Sequence, residues 1–346
     1  MAAHLRRWID YQRARWIRTR TLEVYEGYFR REIVPVIGGL EIAKLKPGHV
    51  RAVLAGMQWR GLSAATITQA RGALGSALRQ AVEDGLIPAN PVAAVKRPKQ
   101  RRPELHWPTP DQLSALTEAS KNTLWEIPVL LAAVTGARRS EILGISWDDV
   151  DFSAGTVFIR RGLQRVPRAQ SGVSAAFTPL KTKRSQRMVA LPAFALERLR
   201  RHRREQLERR SKPGSAWHDP VDGRGEPVRL VCTRGNGYFL YPDAFTKAFK
   251  RLAGQAGLHP STRLHDIRHA VATELGRRGG HSVIVSAVLG HASPAFTAAV
   301  YQHAWQEGPH ETAAALETAL AAHSDVGNPL AHTDFARKNE GVLVAN

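Results

Sequence analysis

Apolar side chains recur at helical spacing through the first 95 residues. Val24, Tyr25, Tyr28, Phe29 and Ile33 follow a Thr21 N-cap until Pro35 and the Gly38-Gly39 pair stop the run. Pro47 opens a second helix with Val50, Val53, Leu54 and Met57 on one side. Ser63 caps a third, which carries Ile67, Ala70, Leu74, Leu78 and Ala81. The pattern predicts a small all-helical unit over residues 1–95. It breaks at 96–110 (KRPKQRRPELHWPTP), where four prolines and five Lys/Arg show no period. That stretch reads as an extended basic linker that crosses nucleic acid.

A second domain is predicted over 111–323. Thr109, Pro110 and Gln112 form an N-cap, a first-turn proline and a capping-box partner. Leu130 to Val134 is an apolar helical run that Gly136 ends, and Arg138 and Glu141 follow on the next helix. Thr156–Arg160 and Arg187–Leu191 have strand patterning. Ile267, Val271 and Leu275 predict a helix, Gly279-Gly280 a break, and Val283, Val285, Val288 and Leu289 a second helix. Gly290 ends that helix and delivers His291 into a loop, and Tyr301 lies on a further short periodic segment. His310–His323 is an Ala/Leu helix pattern that packs on its own domain or on a neighbouring protomer, and 324–346 reads as a flexible tail without periodicity. The fold class is mainly α with a small antiparallel β-sheet, in two domains.

Charge narrows the partner. Fifty Lys/Arg against 30 Asp/Glu give a net charge of +20, and residues 1–110 alone hold 19 Lys/Arg and 8 Asp/Glu. Such an excess favours a polyanion, nucleic acid before a membrane surface, because phosphate contacts supply most sequence-independent DNA affinity. The run Arg198 to Arg210 reads as a solvated helix. No stretch of about eighteen apolar residues and no signal-peptide core occurs, so no membrane association and a cytoplasmic location are expected. The single cysteine, Cys232 in an apolar run, excludes an intrachain disulfide and reads as a buried strand residue.

The candidate chemistry lies in segments far apart in sequence. His265 and Arg268 are three apart and share a helix face. Glu141, three residues after Arg138, can fix the guanidinium of one arginine for a phosphate oxygen, although such a pair is commonly only a salt bridge. The basic loop around Lys181, between the predicted strands, is either a solvated tip or a lysine able to protonate a leaving oxygen. His265 and His269 at i, i+4 resemble a metal-binding pair. Against that reading, Arg268 lies between them as a fixed cation, and Asp266 stands where a zinc protease pattern needs Glu.

Together these segments resemble the tyrosine recombinases, the phage-integrase group of site-specific DNA recombinases. TGARRSEI looks like the family's first-arginine box, PLKTKRSQRMVALP its β-hairpin lysine box and HDIRH its His-x-x-Arg box. Leu289-Gly290-His291 and Tyr301, ten residues on, complete the set in family order over nearly the whole chain. The resemblance implies a helical core-type DNA-binding domain followed by an α+β catalytic domain; the small arm-site-binding domain that many phage members carry in front is absent or was removed. It implies that Arg138 and Arg268 clamp the scissile phosphate, His265 acts as general acid/base and His291 as a further phosphate donor. Lys181 would protonate the leaving 5′ oxygen, Tyr301 would be the nucleophile, and Glu141 would support Arg138. Tyr11, Tyr25, Tyr28, Tyr238 and Tyr241 have no histidine-bearing helix end upstream.

Such chemistry keeps the phosphodiester energy in a 3′-phosphotyrosyl bond, so no cofactor, ATP or metal is expected. The implied partners are double-stranded DNA with specific core or attachment sites and three further copies of the chain, forming a homotetramer on two DNA sites. An accessory directionality factor has room in this scheme. Integration and excision of a phage or other mobile element is the expected role. The other readings are a DNA-binding protein of the same fold without catalysis, and a metal hydrolase built on His265 and His269.

Overall fold

The computed structural model describes residues 1–15, 19–99, 106–166, 175–180, 182, 185–278, 281–290 and 295. Lys181, His291, Tyr301, the 310–323 helix, the 324–346 tail and linker residues 100–105 lie outside them. The chain divides into two units, Met1–Leu105 and His106–Asn346.

The first unit is helical. It comprises α1 (Ala2–Ala14), α2 (Thr19–Tyr28), α3 (Val34–Ile37), α4 (Pro47–Trp59) and α5 (Ala64–Glu83), with a π-helical turn at Phe29–Ile33 between α2 and α3. Leu5, Trp8 and Ile9 of α1 join Phe29, Ile33, Val50, Met57, Leu74 and Leu78 in one core. Ser63 caps α5 through its Oγ, which accepts from the Thr66 amide at 3.2 Å. Thr21 does not cap α2, which already runs from Thr19. Burial of Leu22 secures that first turn, as packing outweighs a local capping preference. Arg71 closes the unit by donating to the Val92 and Val95 carbonyls at 2.8 and 2.7 Å.

The second unit begins with α6 (Pro110–Ser120). Its reciprocal box joins the Gln112 amide to Thr109 Oγ1 at 3.3 Å and the Thr109 amide to Gln112 Oε1 at 3.1 Å. Then come α7 (Glu126–Thr135) and α8 (Arg139–Leu143), and strands β1 (Val150–Asp151), β2 (Thr156–Ile159), β3 (Arg161–Arg165), β4 (Ala175–Pro179) and β5 (Arg187–Ala190). Four helices follow, α9 (Ala193–Arg210), α10 (Pro242–Gln255), α11 (Leu264–Arg277) and α12 (Ser282–Leu289).

Strands β1, β2 and β5 form an antiparallel sheet in that order. Val157 opposite Val189 faces the core, while Phe158 opposite Met188 faces out. Strands β3 and β4 form a separate antiparallel ladder, with Leu163 opposite Phe177, that the apolar pattern did not predict. The helices pack around Leu131, Ile142, Val157, Phe245, Phe249 and Ile267. The run Arg198 to Arg210 is most of α9; it buries Leu199 and Gln206, while Arg198 pairs with Glu126, Arg201 with Glu205 and Arg210 with Asp219.

Cys232 is buried, and burial pushes its thiol up, but it is not in a strand. The Trp147 amide donates to the Arg229 carbonyl and the Val231 amide to the Ile145 carbonyl, which leaves only isolated bridges there instead of a ladder. Among the described residues no helix is long and apolar enough to cross a membrane.

Candidate active site

The site grows from the end of α7. Gly136 adopts φ +58, a left-handed turn that glycine takes without steric cost, and the chain reverses into α8. Arg138 is the N-cap residue of α8 and Glu141 its third helical residue. The Glu141 carboxylate accepts from the Arg138 amide at 2.9 Å and from Arg138 Nη1 at 2.7 Å. The first-turn carboxylate thus closes the helix start and aims the arginine. Arg139, the neighbour, turns the other way and donates to the Pro242 carbonyl and Thr246 Oγ1.

Glu141 also accepts from Arg187 Nη2 at 2.9 Å. Arg187 is the first residue of β5, and the apolar pattern gave it no role beyond starting a strand. Burial raises the Glu141 carboxyl, yet the Arg187 guanidinium, the Arg138 amide and the Arg138 charge together hold it below the usual carboxylate range. It is ionised at neutral pH, and it is 1% exposed.

Helix α11 supplies the next groups. Asp266 caps its start by accepting from the Arg263 amide at 2.7 Å and from Arg263 Nη2 at 3.0 Å. Asp266 is therefore an N-terminal clip rather than a displaced metal-site glutamate. Arg268, one turn in, is 2% exposed and donates from Nη1 to the Gly136 carbonyl at 3.0 Å and from Nη2 to the Leu289 carbonyl at 2.5 Å. His265 is exposed beside it. Partial desolvation, then the charges of Arg268 and Arg138, lower its pKa, so the ring is neutral at physiological pH. His269 packs edge-on against His265 with ring centroids 5.0 Å apart, and Trp107 stacks on it at 5.7 Å. Burial and the His265 charge pull His269 down to about 4. Among the described residues no three His, Cys, Asp or Glu side chains are grouped to hold a metal ion.

The last three carbonyls of the α12 terminus tie these parts together. Val288 O accepts from Arg187 Nε at 2.5 Å, Leu289 O from Arg268, and Gly290 O lies 3.5 Å from Arg138 Nη2. The end of a helix leaves its final carbonyls without intrahelical partners and carries the negative pole of its dipole, so it attracts cations. Gly290 then turns left-handed at φ +65. The structure thus brings Arg138, Glu141, Arg187, His265 and Arg268 together around the ends of α7 and α12. Three guanidiniums against one carboxylate make this a net positive cluster, with Arg138 its most exposed arginine, suited to an anion with several oxygens, such as a phosphodiester. Lys181, His291 and Tyr301 lie outside the described residues.

Residues 106–307 match the model of the phage integrase family and residues 1–98 that of the phage integrase central domain. The chain is 28% identical over 294 residues to a tyrosine recombinase XerC-like protein of Caldanaerobacter subterraneus subsp. tengcongensis, spanning 82% of this chain and 74% of that one. It is 29% identical over 276 residues to the integrase of Mycobacterium phage L5, spanning 79% and 68%. The fold is similar to the Tn1549 transposon integrase in complex with a circular intermediate DNA, at TM-score 0.74 and 19% identity over 87% of this chain and 94% of that one. A lambda integrase dimer bound to a core site gives TM-score 0.62 and 19% identity over 86% and 94%. The chain belongs to the phage integrase family and is a tyrosine-type site-specific recombinase.

Proposed function

We propose that this recombinase cuts and rejoins double-stranded DNA through a 3′-phosphotyrosyl intermediate, with Tyr301 as nucleophile. Arg138 and Arg268 hold the non-bridging oxygens of the scissile phosphate. Charge builds on those oxygens as the fifth ligand approaches phosphorus, and donors fixed beforehand are a large catalytic term. The observation that carries this reading is that two arginines from distant helices are oriented by one carboxylate and by one helix end.

The phenolic oxygen of Tyr301 attacks phosphorus and the bond from phosphorus to O5′ breaks. The phenol proton passes to His265, whose depressed pKa leaves it neutral and able to accept. Lys181 donates a proton to the departing O5′, and His291 adds a hydrogen bond to the phosphate. Ligation reverses each transfer, and the energy of the broken bond is retained in the phosphotyrosine. Glu141 supports Arg138 and touches no substrate atom.

The DNA is expected to contain specific core sites. Lambda integrase has been seen as a tetramer bound to a Holliday junction, and by analogy four copies of this chain act on two sites. Integration and excision of a mobile element fits the phage and transposon integrases among its relatives. The test is incubation with nicked attachment-site DNA in EDTA, followed by detection of an SDS-resistant protein–DNA adduct. The adduct is expected with EDTA present and absent in Tyr301→Phe, which still binds DNA. An adduct that survives Tyr301→Phe overturns the assignment.

A further inference from the structure

Arg187 is outside the set assigned to the phosphate, yet it touches both Glu141 and the end of α12. Each of its three nitrogens donates to protein: Nε to the Val288 carbonyl at 2.5 Å, Nη1 to the Ser185 carbonyl at 3.0 Å and Nη2 to Glu141 Oε2 at 2.9 Å. Its side chain is 5% exposed, against 38% for Arg138. With Nε, Nη1 and Nη2 each donating to protein, Arg187 is engaged in the frame of the site itself. A buried arginine paired with a carboxylate commonly does no more than hold a fold together.

Two features separate Arg187 from that ordinary case. Its carboxylate partner is the same Glu141 that aims Arg138, and its Val288 contact adjoins the carbonyls that face Arg268 and Arg138. Gly290 presses against it as well, since a Cβ built there lies 3.0 Å from Arg187 Nη1 and 3.1 Å from its Cδ. A shift of this guanidinium therefore moves Glu141 and the end of α12 at once.

We infer that Arg187 is a positioning residue that holds Glu141 and the C-terminal end of α12 in the one arrangement presenting Arg138 to the scissile phosphate. The inference rests on the strand-transfer reading of the same site. It separates three roles among the arginines: Arg138 stabilises charge at the mouth, Arg268 does so from the buried wall, and Arg187 sets the distance between the elements that bear them. The cost of losing Arg187 then falls on the transition state, where phosphate charge is greatest, and not on DNA binding.

Single-turnover cleavage of nicked DNA by the full-length chain tests this. One substrate has an ordinary scissile phosphodiester, and the other a methylphosphonate, in which a neutral methyl replaces one charged non-bridging oxygen. Arg187→Gln is expected to slow phosphodiester cleavage about 10- to 100-fold while DNA affinity stays within about twofold, the range in which groups orienting a ligand act. On the methylphosphonate the defect is expected to shrink below about threefold, because less charge remains for Arg138 to stabilise. Arg187→Lys, which keeps the charge and one directed donor, is expected to recover part of the phosphodiester rate.

Equal defects on the two substrates in whichever variant melts like wild type overturn the inference, as does a wild-type rate in Arg187→Gln. If Arg187→Gln does not fold, the Arg187→Lys comparison decides alone. Absence of any Tyr301-linked adduct from the wild-type chain retires the strand-transfer reading instead. A normal wild-type adduct with Arg187 variants unaffected retires only this role.

Discussion

At the scale of single residues the site combines ionised and neutral groups by burial. Glu141 stays charged because Arg187 and the Arg138 amide outweigh its desolvation, whereas His265 and His269 stay neutral because desolvation and nearby guanidiniums oppose a proton. The signs give a direction for stability. A histidine held below its unfolded value binds fewer protons folded than unfolded, so stability is complete above about 6.5 and falls as pH drops toward the folded value. For His269 that window runs down to about 4. The groups around it are His265, Asp266, Arg268 and Arg263, with Trp107 stacked on its ring. The thermal midpoint is therefore expected to fall between pH 7 and pH 4, and His269→Phe to flatten the slope, leaving the part due to His265. A variant whose midpoint tracks wild type across that range contradicts this account.

Some of these residues were readable in the sequence because their signal is local. Glu141 lies three residues from Arg138, which singles out Arg138 over Arg139 as the aimed arginine, and the structure turns Arg139 toward α10. Arg187 was not readable. Its partners Glu141 and Val288 are 46 and 101 residues away, and nothing in the RMVA strand pattern distinguishes a strut from an ordinary strand start.

At the scale of elements, legibility follows the strength of local chemistry. The caps at Ser63 and Thr109 and the glycine stops at Gly136 and Gly290 are visible in sequence because each depends on one side chain or on its absence. The β3–β4 ladder was missed because RGLQR holds a single large apolar residue, Leu163, and owes its extended form to pairing and to α8 packed on it. Helix α1 has Leu5, Trp8 and Ile9 at the expected spacing, but His4 and the arginines around them dilute the stripe.

Gly136 links an element boundary to the site. Its φ is +58, its carbonyl accepts from Arg268, and a Cβ there meets Leu289 Cδ2 at 2.9 Å. Gly136→Ala is expected to cost about 1–2 kcal/mol from the left-handed backbone alone. Displacement of α12 adds to that, with slower cleavage as the result. Urea denaturation checks the first effect, and a midpoint unchanged from wild type contradicts it.

At the scale of the whole molecule the +20 charge is the dominant feature. Three of the seven arginines between Arg198 and Arg210 pair with Glu126, Glu205 and Asp219, so that helix contributes less free charge than its sequence suggests. The first 110 residues have 19 basic against 8 acidic groups, an excess that suits a nonspecific grip on DNA. The logarithm of the DNA association constant is expected to fall with the logarithm of salt at a slope of about −5 or steeper, the value for six or more neutralised phosphates. Titrations at several salt concentrations measure it, and a slope shallower than about −2 contradicts a backbone-dominated grip.

The three arginines meet the end of α12 through main-chain oxygens. Natural variation can therefore rewrite the outward side chains of that helix, such as Val283 and Ile284, while keeping its length and its buried Val285 and Leu289. Insertion or deletion of a single residue before Gly290 rotates the terminal oxygens by about 100° and unseats all three cations together. On the outward face of this stretch the gene is free in spelling, and throughout it is fixed in count.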